Sequence, residues 1–176
     1  MSFEEDSAKS LWAFDNVVAP AIKKIFGAKR IFSTENHDSG LERFLDQETG
    51  IDALIVSDDG TTYPAACRIQ SGKCYETFSI RRSRPKGTTT EFDKLNRAKK
   101  MGGLMPTYHV QAFIENDTAT IAVAETVDLL KYIDGHKDQW RKTSEGETFY
   151  YIPWRELDRV KTYLVEKGHV QRRQLL

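Results

Sequence analysis

GIDALIVSDDGTTYPAACRIQ, residues 50–70, is the stretch whose pattern decides the fold. The run Ile51 to Val56 is rich in branched apolar side chains, the composition of a buried strand. Ser57, Asp58, Asp59 and Gly60 then spell a hairpin turn, so a second strand from Thr62 to Gln70 is expected to pair antiparallel with the first. Side chains alternate across a strand. Ala65, Cys67 and Ile69 therefore share one face, and Ala66, Arg68 and Gln70 share the other.

Upstream, Leu11, Phe14, Val18, Ile22, Ile25 and Phe26 recur at three- and four-residue spacings, the signature of an amphipathic helix. Pro20 kinks it or opens a second helix, and Gly27 ends it. Lys29 to Ser33 reads as a short strand and Thr34 to Ser39 as a loop.

Downstream, an extended stretch near Tyr75 to Arg82 runs into the turn Pro85, Lys86, Gly87. Thr90 is an N-cap residue for a helix from Glu91 to about Met101, stopped by Gly102 and Gly103. Two further strands are expected, Thr107 to Glu115 and Thr118 to Ala124, followed by a short helix from Thr126 or Asp128 through Tyr132. A polar connection fills Asp134 to Gly146. FYYIPW (residues 149–154) suggests another strand before a closing helix over Trp154 to Lys167. The order describes a single mixed α/β domain spanning residues 1–176.

At 176 residues with 39% hydrophobic and 30% charged content, the chain can bury one sizeable core. No apolar run approaches the roughly 18 residues that a membrane span needs. The opening MSFEEDSAKS is acidic where a secretory leader would be basic and then apolar, so a cytoplasmic location is expected. Cys67 and Cys74 suggest neither a disulfide framework nor a zinc site, and His37, His109, His136 and His169 are scattered. Net charge is zero, but Lys73 to Lys100 holds nine basic residues against three acidic ones. Such a stripe is either a solvated face or a phosphate-binding surface.

Asp52 opens a buried strand, where a carboxylate needs a cation or hydrogen-bond donors. Arg68 and Gln70 share a face across the hairpin, and Glu91 and Lys94 are neighbours on the next helix. Acids that hold a divalent cation, beside cations that stabilise a charged transition state, are what phosphodiester hydrolysis requires. Each residue also has a plain structural role: Asp52 as a cap or ion-pair partner of Arg68, Glu91 as a first-turn acid, Lys94 as a surface lysine. Asp46, Asp58 and Asp59 read as turn residues, and His109 and Gln111, alternating with Val110, could face the same site.

The order of a GID strand (Gly50, Ile51, Asp52), a turn, a strand carrying Arg68 and Gln70, and then a helix resembles the core of the PD-(D/E)XK, or restriction-endonuclease-like, nucleases. FSIR (Phe78 to Arg81) followed by TEFDKL (Thr90 to Leu95) is similar to a phage and bacterial variant with Q/E-x-R in place of E-x-K. The resemblance covers about Gly40 to Ile133. It implies a mixed central β-sheet flanked by helices, and a nuclease using Mg²⁺ (or Mn²⁺), with DNA ahead of RNA as substrate and a homodimer as one assembly. By that resemblance Asp52 and Glu91 would be metal ligands, with Arg68, Gln70 and Lys94 completing the catalytic set. Arg81, Arg82, Arg84, Lys86 and Arg97 would contact nucleic acid.

The chain departs from the pattern at Ala66, where the second acidic ligand belongs. Either Glu91 supplies that carboxylate, or a register shift brings Gln70 and Lys73 into the ligand and cation positions. A catalytically degenerate domain that binds DNA, or that docks on or inhibits another protein, is the alternative.

Overall fold

The computed structural model describes residues 9–34 and 40–175. The acidic opening segment and most of the expected Thr34 to Ser39 loop lie outside the described residues. A π-helical turn at Phe14–Val18 leads into α1 (Ala19–Phe26). Pro20 accounts for this, because it has no N–H to donate to the preceding turn.

After β1 (Ala28–Ser33), a short α2 (Gly40–Phe44) runs into a π-helical turn at Leu45–Thr49. The hairpin follows as β2 (Ala53–Ser57) and β3 (Thr62–Ser71), antiparallel with Ala53 opposite Ala65. Then come β4 (Thr77–Ser83), α3 (Glu91–Met101), β5 (Tyr108–Glu115), β6 (Thr118–Glu125) and α4 (Thr126–Gly135). The chain ends in strands: β7 (Trp140–Lys142), β8 (Thr148–Pro153), β9 (Lys161–Glu166) and β10 (His169–Arg173).

Two of these elements correct the sequence reading. The expected closing helix over Trp154 to Lys167 is a single 3₁₀ turn, Trp154–Glu156, followed by β9 and β10. β9 adds to the edge of β6, with Tyr163 opposite Ile121, and its apolar side chains join the core there. A strand pairing of this kind overrides local helix preference. The polar connection from Asp134 to Gly146 likewise contains β7, held by pairing Arg141 with Phe149 of β8.

The architecture is α/β with a large mixed sheet. Among the described residues, seven strands run in the order β1-β2-β3-β5-β6-β9-β10, and a smaller sheet runs β4-β8-β7. β3 and β5 are parallel neighbours; the segment between them crosses over through β4 and α3. One face of the large sheet packs on the N-terminal helix through Phe14, Val18, Ile22, Ile55, Ala112 and Ile121. The other face meets the small sheet and α4 through Phe78, Phe113, Leu129, Ile133, Ile152 and Trp154. Among the described residues no helix is long and apolar enough to cross a membrane.

Phe78 is 1% exposed and touches the Trp154 ring across the second cluster, with centroids 6.2 Å apart. Phe78→Ala is expected to cost about 3–5 kcal/mol. Because that cluster joins both sheets, urea unfolding followed by far-UV and near-UV signals is expected to show one transition at a lower midpoint, not separate loss of the small sheet.

Candidate phosphate-binding cleft

Two polar rows meet between the sheets. The second face of the large sheet carries Ala66, Arg68 and Gln70 on β3 and His109, Gln111 and Phe113 on β5, paired in that order. The alternation read from sequence thus holds, since Ala65, Cys67 and Ile69 belong to the opposite, apolar cluster. Buried polar groups need partners, and here they find one another. Gln111, 1% exposed, accepts from Ser79 N and Oγ at 3.3 and 3.2 Å and donates to Gln70 Oε1 at 3.0 Å. His109 Nδ1 lies 3.0 Å from Thr126 Oγ1, and its Nε2 donates to Glu91 Oε1 at 3.2 Å.

Glu91 stands at the first position of α3. Thr90 fixes that start through a capping box, its hydroxyl accepting from Asp93 N while Asp93 accepts from Thr90 N. The second oxygen of Glu91 accepts from Arg81 N at 3.2 Å and lies 3.9 Å from the Arg68 guanidinium. Burial alone would raise this carboxyl's pKa. The hydrogen bond and charge of His109, with Arg68 and the Arg81 amide, outweigh it and hold the group below its ordinary 4.5.

Asp52, Arg68, Arg81, Arg84, Glu91 and Lys94 line one cleft of about 860 Å³, closed by Gly87 to Thr89 and by Asp46, Gln47 and Gly50. The convergence expected from sequence is therefore present. Lys94 reaches over Gly50 to donate to the Asp46 carbonyl at 2.6 Å. Gly50 has φ +71°, and a Cβ there would meet Lys94 Cδ at 3.4 Å, so glycine suits both the turn and the lysine.

The Asp52 Oδ2 accepts from Cys67 N at 2.7 Å. That amide lies beyond the start of β2, so the carboxylate serves as a strand extension as well as a cleft wall. Arg68 and Arg81 both lie against the Phe149 ring, 4.7 and 5.3 Å from its centroid. Their Nε–H groups are buried and lack a hydrogen-bond acceptor among the described residues, although Arg81 Nε is 3.3 Å from Glu147. Burial, then the charges of Arg68 and Arg84, push the Arg81 pKa below its ordinary value, against the pull of Glu147 and Glu91.

Other predicted site residues lie elsewhere. Gln70 is taken up by Gln111, and Lys73 is exposed beyond the end of β3, which leaves no register in which those two replace Ala66 and Arg68. Arg82 stacks on Trp140, Arg97 pairs with Glu48, and Lys86 is exposed in the turn after β4. Sequence reasoning missed Glu147, which bridges Arg81 and Arg84, and Phe149; nothing local to them signals the site.

The donor set as arranged does not fit a bound Mg²⁺ or Mn²⁺. These ions take several oxygen ligands. Both Glu91 oxygens are already engaged, and among the described residues no three His, Cys, Asp or Glu side chains gather to hold an ion. No family model, curated protein or solved structure matches the chain.

A carboxyl whose pKa is lowered on folding stabilises the native state above its unfolded pKa, and that contribution drains away as pH falls through the folded value. Glu91→Gln is expected to lose about 1–3 kcal/mol at pH 7, since it leaves buried donors without their anion. The deficit should shrink below pH 4.5, and thermal unfolding of both proteins at pH 7 and pH 3 measures it. An equal deficit at both pH values would mean that the carboxylate charge is not what stabilises the site.

Proposed function

We propose that the cleft binds the phosphodiester backbone of nucleic acid, as a restriction-endonuclease-like domain that works as a binding module. The observation that carries this reading is the pair of guanidinium groups, Arg68 and Arg81, held against Phe149 on the wall of one cleft, with Arg84 beside them. A phosphate entering the cleft would pair with the guanidinium charges and relieve the repulsion among Arg68, Arg81 and Arg84. The Thr88 to Thr90 loop and the start of α3 bring the positive end of a helix dipole to the same wall. The antiparallel β2–β3 hairpin with Asp52 at its root, followed by a crossover helix to a parallel strand, supports the nuclease-like assignment. DNA is the proposed ligand ahead of RNA.

A second reading, hydrolysis with Mg²⁺ or Mn²⁺, has one observation in its favour: Asp52 and Glu91 line the same cleft as Arg68 and Lys94. It would require Glu91 to exchange its present partners for the ion.

Fluorescence anisotropy with labelled DNA at low and moderate salt tests the first reading. Affinity is expected to fall as salt rises, and Arg68→Ala should weaken binding several-fold for any sequence and lower the salt slope by about one. DNA binding that is absent, or that is untouched by Arg68→Ala, would overturn it. Product formed in Mg²⁺ by the wild-type chain and abolished in Asp52→Asn would establish hydrolysis instead, and intact substrate would exclude it.

A further inference from the structure

The small sheet carries the cleft's cationic row outward. Arg81 on β4, Phe149 on β8 and Arg141 on β7 lie directly opposite one another, so all three occupy the same face. Arg141 thereby prolongs the line of Arg68 and Arg81 to the rim. β7 is the edge strand of this sheet, and Trp140, Arg141 and Lys142 are all exposed. Side-chain alternation puts Trp140 on the other face, beside Tyr150. There the Arg82 guanidinium lies 4.9 Å from the indole centroid, while 40% of the tryptophan remains open to solvent.

Trp140 therefore presents an open aromatic surface on an edge strand, with a guanidinium behind it. Charge says what kind of partner. Residues 81–86 and 137–147 together hold seven basic side chains against three acidic ones. An anionic ligand with flat apolar faces matches both properties, and nucleobases on a phosphate backbone have them. Paired bases hide those faces inside a duplex. Moreover, Arg141 and Trp140 point to opposite faces of one strand, so a ligand touching both must bend over the edge of β7, which a flexible single strand does readily and a duplex does not.

Resting on the phosphate-binding reading of the cleft, we propose that Trp140, backed by Arg82, is a base-stacking site for single-stranded nucleic acid that leaves the cleft past Arg141 and folds over β7. The ligand is thus held by its phosphates on one face of the small sheet and by a base on the other.

Anisotropy with a labelled oligothymidine, a labelled duplex and an abasic oligonucleotide tests this on wild-type protein, Trp140→Ala, Trp140→Phe and Arg68→Ala. Trp140→Ala should weaken oligothymidine binding about tenfold, as loss of one base stack does. Binding of the abasic strand and of the duplex should not change, and Trp140→Phe should retain most of the affinity. If Trp140→Ala binds oligothymidine as the wild type does while Arg68→Ala is impaired, the stacking site is overturned and the cleft reading stands. Equal losses for oligothymidine and the abasic strand also overturn stacking. A wild-type chain that binds none of the three probes overturns both. Trp140 is exposed, and unchanged thermal unfolding of the variants separates lost contact from lost fold.

Discussion

The Glu91 carboxylate is the point on which the inner architecture turns. It accepts from His109 on the large sheet and from the Arg81 amide on the small one, and it lies beside Arg68. A single half-buried anion thus ties both sheets and the start of α3 to one spot. Without it, the Arg68 and Arg81 charges would face each other with no carboxylate between the sheets, and the His109 ring and the Arg81 amide would lose their acceptor, a costly arrangement in a poorly solvated layer. The same demand explains why the carboxylate is not at liberty to hold an ion, and why the cleft offers donors rather than ligands.

Around that anion the polar layer is organised by strand pairing. β3 and β5 are parallel with Arg68 opposite Gln111 and Gln70 opposite Phe113, so two glutamines meet and one is sealed by Ser79 of β4. The amide network and the apolar cluster of Phe78, Phe113 and Trp154 hold the small sheet down together. Arg68 and Arg81 consequently reach the cleft from different sheets yet share one aromatic surface, Phe149, which gives them a fixed spacing without cancelling their charge.

Where local chemistry was unambiguous, the sequence was readable. Thr90 and Gly102 bracket α3 as its capping residues indicate, and Asp58 to Gly60 make the turn between β2 and β3. Face and spacing put Arg68 with Gln70 and Glu91 with Lys94; that Asp52, Arg68, Glu91 and Lys94 share one cleft is implied only by the resemblance, and Gln70 stands apart from it. Failures came where tertiary pairing decides. Leu157, Val160 and Leu164 are spaced as on a helix, yet Thr162 to Val165 find a strand edge to join. Trp140 to Lys142 form a strand because β8 is beside them, and three polar or aromatic residues give no such hint alone. The commitments of Gln70 to Gln111 and of Glu91 to His109 depend on a parallel register that no sequence spacing encodes.

That parallel register has a consequence for how the molecule comes into being. β3 and β5 cannot join until the whole crossover, with β4 and α3 inside it, has closed on itself, and such closures are slow because entropy is lost before contacts reward it. Every cation of the cleft lies on β3 or within that crossover. The cleft is therefore a product of topology: its cations come together only when β3 and β5 have joined and the crossover between them is closed.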